Sequence, residues 1–175
     1  HTAYRRQRQM CIRDSHGTIN SWGRDRFWHP NYNVMTQITD ENPALILADV
    51  VEPIIIRHNR LRCDRGWDID LDDGSSNYQI YNNLCLNGGI KLREGFYRTV
   101  ENNIIVNNTL HPHLWFKNSG DVFSRNIVMT KYKPIRVYGW GREVDYNIFT
   151  DSLSYLAARQ LGVDAHSIVA AIRFI

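Results

Sequence analysis

The stretch Asn82-Asn83-Leu84-Cys85-Leu86-Asn87-Gly88-Gly89-Ile90-Lys91-Leu92-Arg93-Glu94-Gly95 decides the fold. An asparagine leads a short apolar run, a Gly-Gly corner follows, and then Ile90 and Leu92 alternate with Lys91 and Arg93. Alternation with period two marks a strand with one buried face. The asparagine signature returns at Asn59, Asn102-Asn103-Ile104, Asn126-Ile127-Val128 and Asn147-Ile148-Phe149. From Asn59 to Asn83, Asn103, Asn126 and Asn147 the spacings are 24, 20, 23 and 21 residues. A period of this length is the mark of a solenoid of stacked coils. Its unevenness places loops of different length outside a fixed core of three short strands per coil. Further alternating runs stand at Trp67-Asp68-Ile69-Asp70-Leu71-Asp72 and Ile135-Arg136-Val137-Tyr138. Gly74, Gly95, Gly120 and Gly139 or Gly141 supply the corners. Asparagine recurring at one register predicts an internal ladder of side-chain amides running along the stack. The expected fold is therefore all-β: a solenoid of parallel strands with about five coils and a short C-terminal helix. A β-sandwich would show turn signals about every 8–12 residues without the longer repeat. A leucine-rich repeat would need a Leu-x-x-Leu-x-Leu frame, which is absent.

Outward from the repeats, the chain divides at 15, 43, 150 and 162. Residues 1–15 contain Arg5-Arg6-Gln7-Arg8-Gln9-Met10-Cys11-Ile12-Arg13-Asp14-Ser15, which resembles a translated adapter peptide from environmental sequencing and is expected to lie outside the fold. It carries four Arg and one Asp, and residues 16–175 balance at 17 basic against 17 acidic side chains, so the net charge of +3 does not point to nucleic acid. Residues 16–43, rich in aromatic and charged side chains (Trp22, Arg24, Asp25, Arg26, Phe27, Trp28, His29), read as a long irregular segment lying over the solenoid. Regular coils are expected over 44–150, opened by buried strands in the apolar runs at 44–51 and 54–56. A helix capped by Asp151 or Ser152 is expected over 151–162, with Leu153, Leu156, Ala157 and Leu161 at helical spacing and Gly162 as its stop. A truncated strand is expected over 163–175. No run of 18 apolar residues occurs, so no membrane contact is expected. The compartment expected is extracellular or periplasmic, with a signal peptide upstream of this sequence. Cys63 and Cys85, 22 residues apart, read as buried small hydrophobes.

Side chains pointing outward from stacked strands form columns spaced by about 4.8 Å. Aligning Ile69 and Leu71 with Ile90 and Leu92, then with Phe116, then with Ile135 and Val137, gives outward columns Asp70, Lys91, Trp115, Arg136 and Asp72, Arg93, Lys117, Tyr138. Acidic, basic and aromatic groups on one face suit a polysaccharide or oligosaccharide: rings stack on sugars and charged groups hydrogen-bond hydroxyls. The same pairs also read as ordinary cross-strand ion pairs of ~0.2–1 kcal/mol each. Three crowded carboxylates, Asp70, Asp72 and Asp73, are expected to raise a pKa and favour a general acid. Glycoside hydrolysis needs a second carboxylate, and Glu94, one coil on, is the candidate. His111 and His113 flank this face as proton-exchange or sugar-binding groups. Two histidines without a third ligand predict no metal. Asp68, Asp70 and Asp72 imitate the start of a Ca²⁺ loop, but its glycine slot holds Asp73 and its closing glutamate slot holds Gln79. No cofactor is expected.

With the repeats, the segments at 66–78, 82–95 and 111–115 resemble bacterial right-handed parallel β-helix proteins of the carbohydrate-active kind. They look similar to the β-helical glycoside hydrolases that include α-L-fucosidase and xylanase activities. The resemblance covers about residues 16–169 and implies a right-handed single-stranded parallel β-helix and a hydrolase of complex polysaccharides; the outward columns, not the resemblance, give the candidate catalytic carboxylates, with Asp72 or Asp73 as general acid and Glu94 or Asp70 as its partner. Lys91, Arg93, His111, His113, Trp115, Lys117, Arg136 and Tyr138 are the candidate substrate-binding residues. β-Helices also host lyases, epimerases and adhesive proteins. A lyase or epimerase acting on uronates, with Lys91, Arg93 and His113 in the acid–base roles, is the first alternative. A binding or structural β-helix without turnover is the second.

Overall fold

The computed structural model describes residues 9–10 and 17–172. The first two strands are Gln9–Met10 (β1) and Ile19–Trp22 (β2), followed by a helix at Tyr32–Glu41 (α1) and a 3-10 turn at Pro43–Leu47. The next coil holds Ile54–Arg57 (β3), Arg60–Arg62 (β4) and Ile69–Asp72 (β5). Above it stand Tyr78–Tyr81 (β6), Leu84–Cys85 (β7) and Ile90–Arg93 (β8), then Thr99–Glu101 (β9), Ile104–Ile105 (β10) and Leu110–His113 (β11). Val122–Ser124 (β12) and Ile127–Val128 (β13) follow, then Glu143–Asp145 (β14) and Ile148–Phe149 (β15), a helix at Ser152–Gln160 (α2), and Ile168–Val169 (β16). Every strand pairing is parallel, and the strands fall into three sheets: β1-β4-β7-β10-β13-β15-β16, β2-β5-β8-β11 and β3-β6-β9-β12-β14. The protein is a parallel β-helix of about six turns.

The interior follows from the repeats. Ile69, Leu71, Ile90, Leu92 and Leu110 point inward and are fully buried with Ile80, Val100, Ile105, Phe123 and Phe149, each such side chain contributing roughly 1.5–3 kcal/mol of transfer free energy. Beside them runs the asparagine ladder. Asn59 Nδ2 donates to Asn83 Oδ1 at 3.0 Å, Asn83 to Asn103 at 2.9 Å, Asn103 to Asn126 at 3.0 Å and Asn126 to Asn147 at 3.3 Å. Ser167 Oγ then accepts from the Asn147 backbone N–H at 2.7 Å. Cys63 and Cys85 are both buried.

Several sequence expectations need correction. Residues 16–43, expected to be irregular, supply β2 and α1, so the solenoid has one rung more than the five coils foreseen. The segment does lie over the coils: Phe27, Met35 and Ile46 form a second buried cluster with Phe96 and Phe116, flanked by Trp28 and Tyr32. The apolar run at 44–51 is not a strand but opens in the 3-10 turn, and a short apolar run does not distinguish the two. Ile135-Arg136-Val137-Tyr138 contributes a single bridge, His113 to Ile135, and not a strand. Gln9–Met10, within the stretch expected to lie outside the fold, pair with Leu61 and Arg62; the rest of 1–15, and 173–175, lie outside the described residues. Helix α2 is capped by Asp151, whose side chain accepts from Ser154 N, but its buried face is Ser154 and Ala158, and Leu153 and Leu156 face outward.

Candidate functional site

The β2-β5-β8-β11 sheet sets the register of the candidate face. Asn20, Asp70, Lys91 and His111 form one outward column, and Trp22, Asp72, Arg93 and His113 the other. The expected columns were right for the first two rungs and wrong for the third. Residues 110–113 occupy that rung, not 114–117, because Pro112 sits inside a strand. It is tolerated there because β11 is the outermost strand of its sheet, where a missing N–H costs least. Leu114, at φ 51°, then turns the chain out of the strand. Trp115 is therefore not a surface residue: it is fully buried and donates its indole N–H to the Leu92 carbonyl at 2.9 Å. Lys117 and Arg136 are exposed beyond the rung, and Tyr138 stacks on Tyr32 at 4.3 Å. None of these four joins the columns.

What the register does assemble is a closed ion-pair network. Lys91 Nζ lies 3.0 Å from Asp70 and 2.8 Å from Asp72, with its side chain 6% exposed. Arg93 reaches Asp72 at 3.2 Å, Asp73 at 3.6 Å and Glu94 at 3.0 Å. Arg24, from the overlying segment, meets Asp73 at 3.0 Å, and Trp28 donates its indole N–H to the second Glu94 oxygen at 2.9 Å. The corner direction of Glu94 is thereby fixed: it stands at φ 48° with one oxygen on Arg93 and the other on Trp28. Trp67 forms the side wall, with Lys91 Nζ 4.2 Å from its ring centroid and His111 and His113 edge-on at 6.1 Å each. Trp67, Arg24 and Trp28 were not foreseen as site residues. Trp67 stands in the quoted segment directly before Asp68, and the only signal for the other two was the aromatic and basic composition of 16–43.

Charge settles the roles open to each group. Burial alone raises the Asp72 carboxyl, but the Lys91 hydrogen bond and the charges of Lys91 and Arg93 outweigh it, and the net shift is downward. Asp72 is thus ionised, not the raised-pKa general acid expected from three crowded carboxylates, because cations stand between them. The Lys91 ammonium occupies the place between Asp70 and Asp72 that a Ca²⁺ ion would need, while Asp68 turns away to accept backbone N–H groups of Cys63, Asn87, Gly88 and Gly89. Gly88 makes that approach possible, since a Cβ there would lie 2.2 Å from the Asp68 nitrogen. Burial pushes Asp68 up to about 6. Among the described residues no three His, Cys, Asp or Glu side chains group to hold a metal ion.

The histidines are held neutral. Burial first, then the charges of Lys133, His113 and Lys91, lower His111 to about 3, and its Nε2 pairs with Asn108 Oδ1 at 2.8 Å. Burial, then Lys91 and Arg93, lower His113 to about 4. Neither exchanges a proton near neutral pH, contrary to the expectation for unperturbed imidazoles. Because the folded values lie below the ordinary 6.5, the unfolded chain takes up protons that the folded one refuses, so stability falls as pH drops from 6.5 towards 4. The thermal midpoint is expected to decline over that window, and His113→Gln to flatten the decline. An equal slope in the variant would remove His113 as its cause.

The network holds four carboxylates, Asp70, Asp72, Asp73 and Glu94, against three cations, Arg24, Lys91 and Arg93. One negative charge is left over. Asp70 and Glu94 side chains are 1% and 4% exposed, whereas Asp72 and Asp73 are 17% and 12% exposed, so only the last two can meet a ligand. Comparison with known protein families, curated proteins and solved structures finds no match for this chain.

Proposed function

We propose that the protein hydrolyses glycosidic bonds of a polysaccharide bound across the Asp72–Arg93–His113 column. The observation that carries this reading is the excess negative charge beside a partly exposed, ionised Asp72, with Trp22 next to it in the column and Trp67 against its partner Lys91. Glycosidic cleavage passes through a transition state with positive, oxocarbenium-like charge, which such a site stabilises. Elimination from a uronate would call for an excess of positive charge facing the sugar carboxylate, and the histidines, neutral here, do not add any. Asp72 is the ionised carboxylate facing the anomeric carbon, and Asp73, ion-paired with Arg24 and Arg93, is the second carboxylate beside it; the leaving oxygen takes its proton from water. Both contact one Arg93 nitrogen, at 3.2 and 3.6 Å, so the contacting oxygens lie within about 7 Å of each other, which admits either direct attack or a water held between them. Asp70 and Glu94 anchor Lys91 and Arg93, and Trp67 with His113 forms the sugar-facing wall.

The test is release of reducing ends from a panel of soluble polysaccharides and oligosaccharides. Asp72→Asn is expected to lower turnover by about 10³-fold, or ~4 kcal/mol of transition-state stabilisation, with retention of the glycan in affinity gels. An unsaturated product absorbing in the ultraviolet would replace this reading by a lyase. The saturation of all four carboxylates by cations or Trp28 favours one second reading, glycan binding without turnover. Retention of a glycan with no product from wild type would establish it, and unchanged turnover in Asp72→Asn would remove the site.

A further inference from the structure

Away from the carboxylate cluster, the corner leading from the β3-β6-β9-β12-β14 sheet to the asparagine ladder carries a second periodic surface. Arg57, Tyr81, Glu101, Ser124 and Asp145 stand in register at the strand ends. The next residues, His58, Asn82, Asn102, Arg125 and Tyr146, all adopt left-handed backbone, with φ of 56, 55, 54, 56 and 58°. His166, directly before Ser167, continues the column. All six are exposed. Their side chains form one ridge: His58 pairs with Asn82 at 3.3 Å, Arg125 bonds Glu101 at 3.0 Å and lies 5.8 Å from the Tyr146 ring, and Tyr146 stacks on His166 at 5.3 Å with planes 12° apart. Asp145 accepts from His166 Nδ1 at 2.7 Å, which orients the imidazole and leaves Nε2 outward.

We propose that this ridge is a second glycan-binding surface, which holds a neutral polysaccharide chain along the solenoid axis. Rungs repeat about every 4.8 Å, close to the length of one hexose, so a chain along the axis meets a ring, amide or guanidinium at each sugar. Two basic residues, Arg57 and Arg125, face two acidic ones, Glu101 and Asp145, and the ridge carries no net charge to recruit an anionic polymer. The backbone adds an independent argument. Left-handed positions favour asparagine over larger residues, and Asn82 and Asn102 show what the corner itself prefers. Arg125 and Tyr146 hold bulky side chains where asparagine would sit with less strain, a pattern that accompanies ligand contact. This inference stands whether or not the Asp72 cluster turns over a glycan.

The test is affinity electrophoresis of the full chain in gels containing xylan, mixed-linkage glucan, galactomannan or polygalacturonate. Wild type is expected to be retarded by at least one of the three neutral polymers. The double variant R125N/Y146N is expected to weaken that retardation at least five-fold, with an unfolding midpoint equal to or above that of wild type. Tyr146→Phe, which keeps the ring, should retain binding, and Asp72→Asn should leave it unchanged. No retardation by any neutral polymer, retardation by polygalacturonate alone, equal retardation of the double variant, or loss of retardation in Asp72→Asn would each overturn the proposal. The last of these would assign the binding to the carboxylate cluster, and failure of Asp72→Asn to lower turnover would leave the ridge untouched.

Discussion

Replacing Asp121 by asparagine is expected to destabilise the fold by about 3–5 kcal/mol, which for a domain of this size shifts the thermal midpoint by on the order of 10 °C. Arg98 and Asp121 are both fully buried, their side chains 0% exposed. The carboxylate receives Arg98 Nε at 2.9 Å, Nη2 at 2.6 Å and the Arg98 backbone N–H at 2.9 Å. Asparagine keeps the shape but leaves a guanidinium in the protein interior without its counter-charge. The remaining guanidinium nitrogen donates to the Arg93 carbonyl at 3.1 Å, so the pair also ties down the corner that carries Arg93 and Glu94. An exposed pair gives the contrast: Arg125 and Glu101, with side chains 55% and 32% exposed, should yield no more than about 1 kcal/mol on removal of the arginine. Urea unfolding of Asp121→Asn and Arg125→Ala measures both, and similar shifts in midpoint would show that burial of the first pair carries no energetic weight. Removing both charges with R98M/D121L is expected to recover most of the loss, because a buried ion pair replaced by apolar groups of similar volume is close to neutral.

How far such positions can be read from sequence depends on periodicity. Strand β8 falls on the expected residues because Ile90 and Leu92 alternate cleanly with Lys91 and Arg93, and the same alternation in β5 placed Asp70 beside Lys91 correctly. The next rung was hidden by Pro112, which reads as a turn, and the left-handed Leu114 broke the alternation that would have shown Trp115 to be inward. The rung lies four residues earlier than expected, and 135–138 contributes a bridge in place of a strand, which is why four candidate binding residues moved off the face. Helix α1 was hidden for a different reason: Val34, Thr36, Ile38 and Thr39 are β-branched and weak helix formers, so its helicity comes from packing of Met35 and its neighbours on Phe96 and Phe116. The contacts that define the site's electrostatics join non-repeating to repeating chain. Trp28 and Glu94 are 66 residues apart, and Arg24 and Asp73 are 49 apart. No period links them, and the carboxylates were therefore expected to repel each other when each in fact has a cationic partner.

The ladder provides the other large effect, and here sequence and structure agree on the residues. Asn103 is 1% exposed and its side chain makes five hydrogen bonds: Oδ1 accepts from the Asn83 N–H and Nδ2, and its own Nδ2 donates to Ile80 O, Glu101 O and Asn126 Oδ1. Asn103→Ala removes all five at once. The other amides keep alternative partners, as Asn83 Nδ2 keeps Ile56 O and Tyr81 O, but the buried Asn83 N–H loses its acceptor. A stranded buried donor costs about 1–3 kcal/mol, and each net hydrogen bond lost about 0.5–1.5 kcal/mol more, so the expected destabilisation is about 3–5 kcal/mol. Asn59, at the end of the ladder, is only half-buried, and its Nδ2 donates to Arg57 O and Asn83 Oδ1. Water can replace those partners, and Asn59→Ala should cost about 1 kcal/mol. A stack held by a continuous amide ladder must show this dependence on position, because interior members are satisfied from both sides and sealed from solvent. Equal unfolding midpoints for Asn59→Ala and Asn103→Ala would mean that apolar packing alone holds the coils in register.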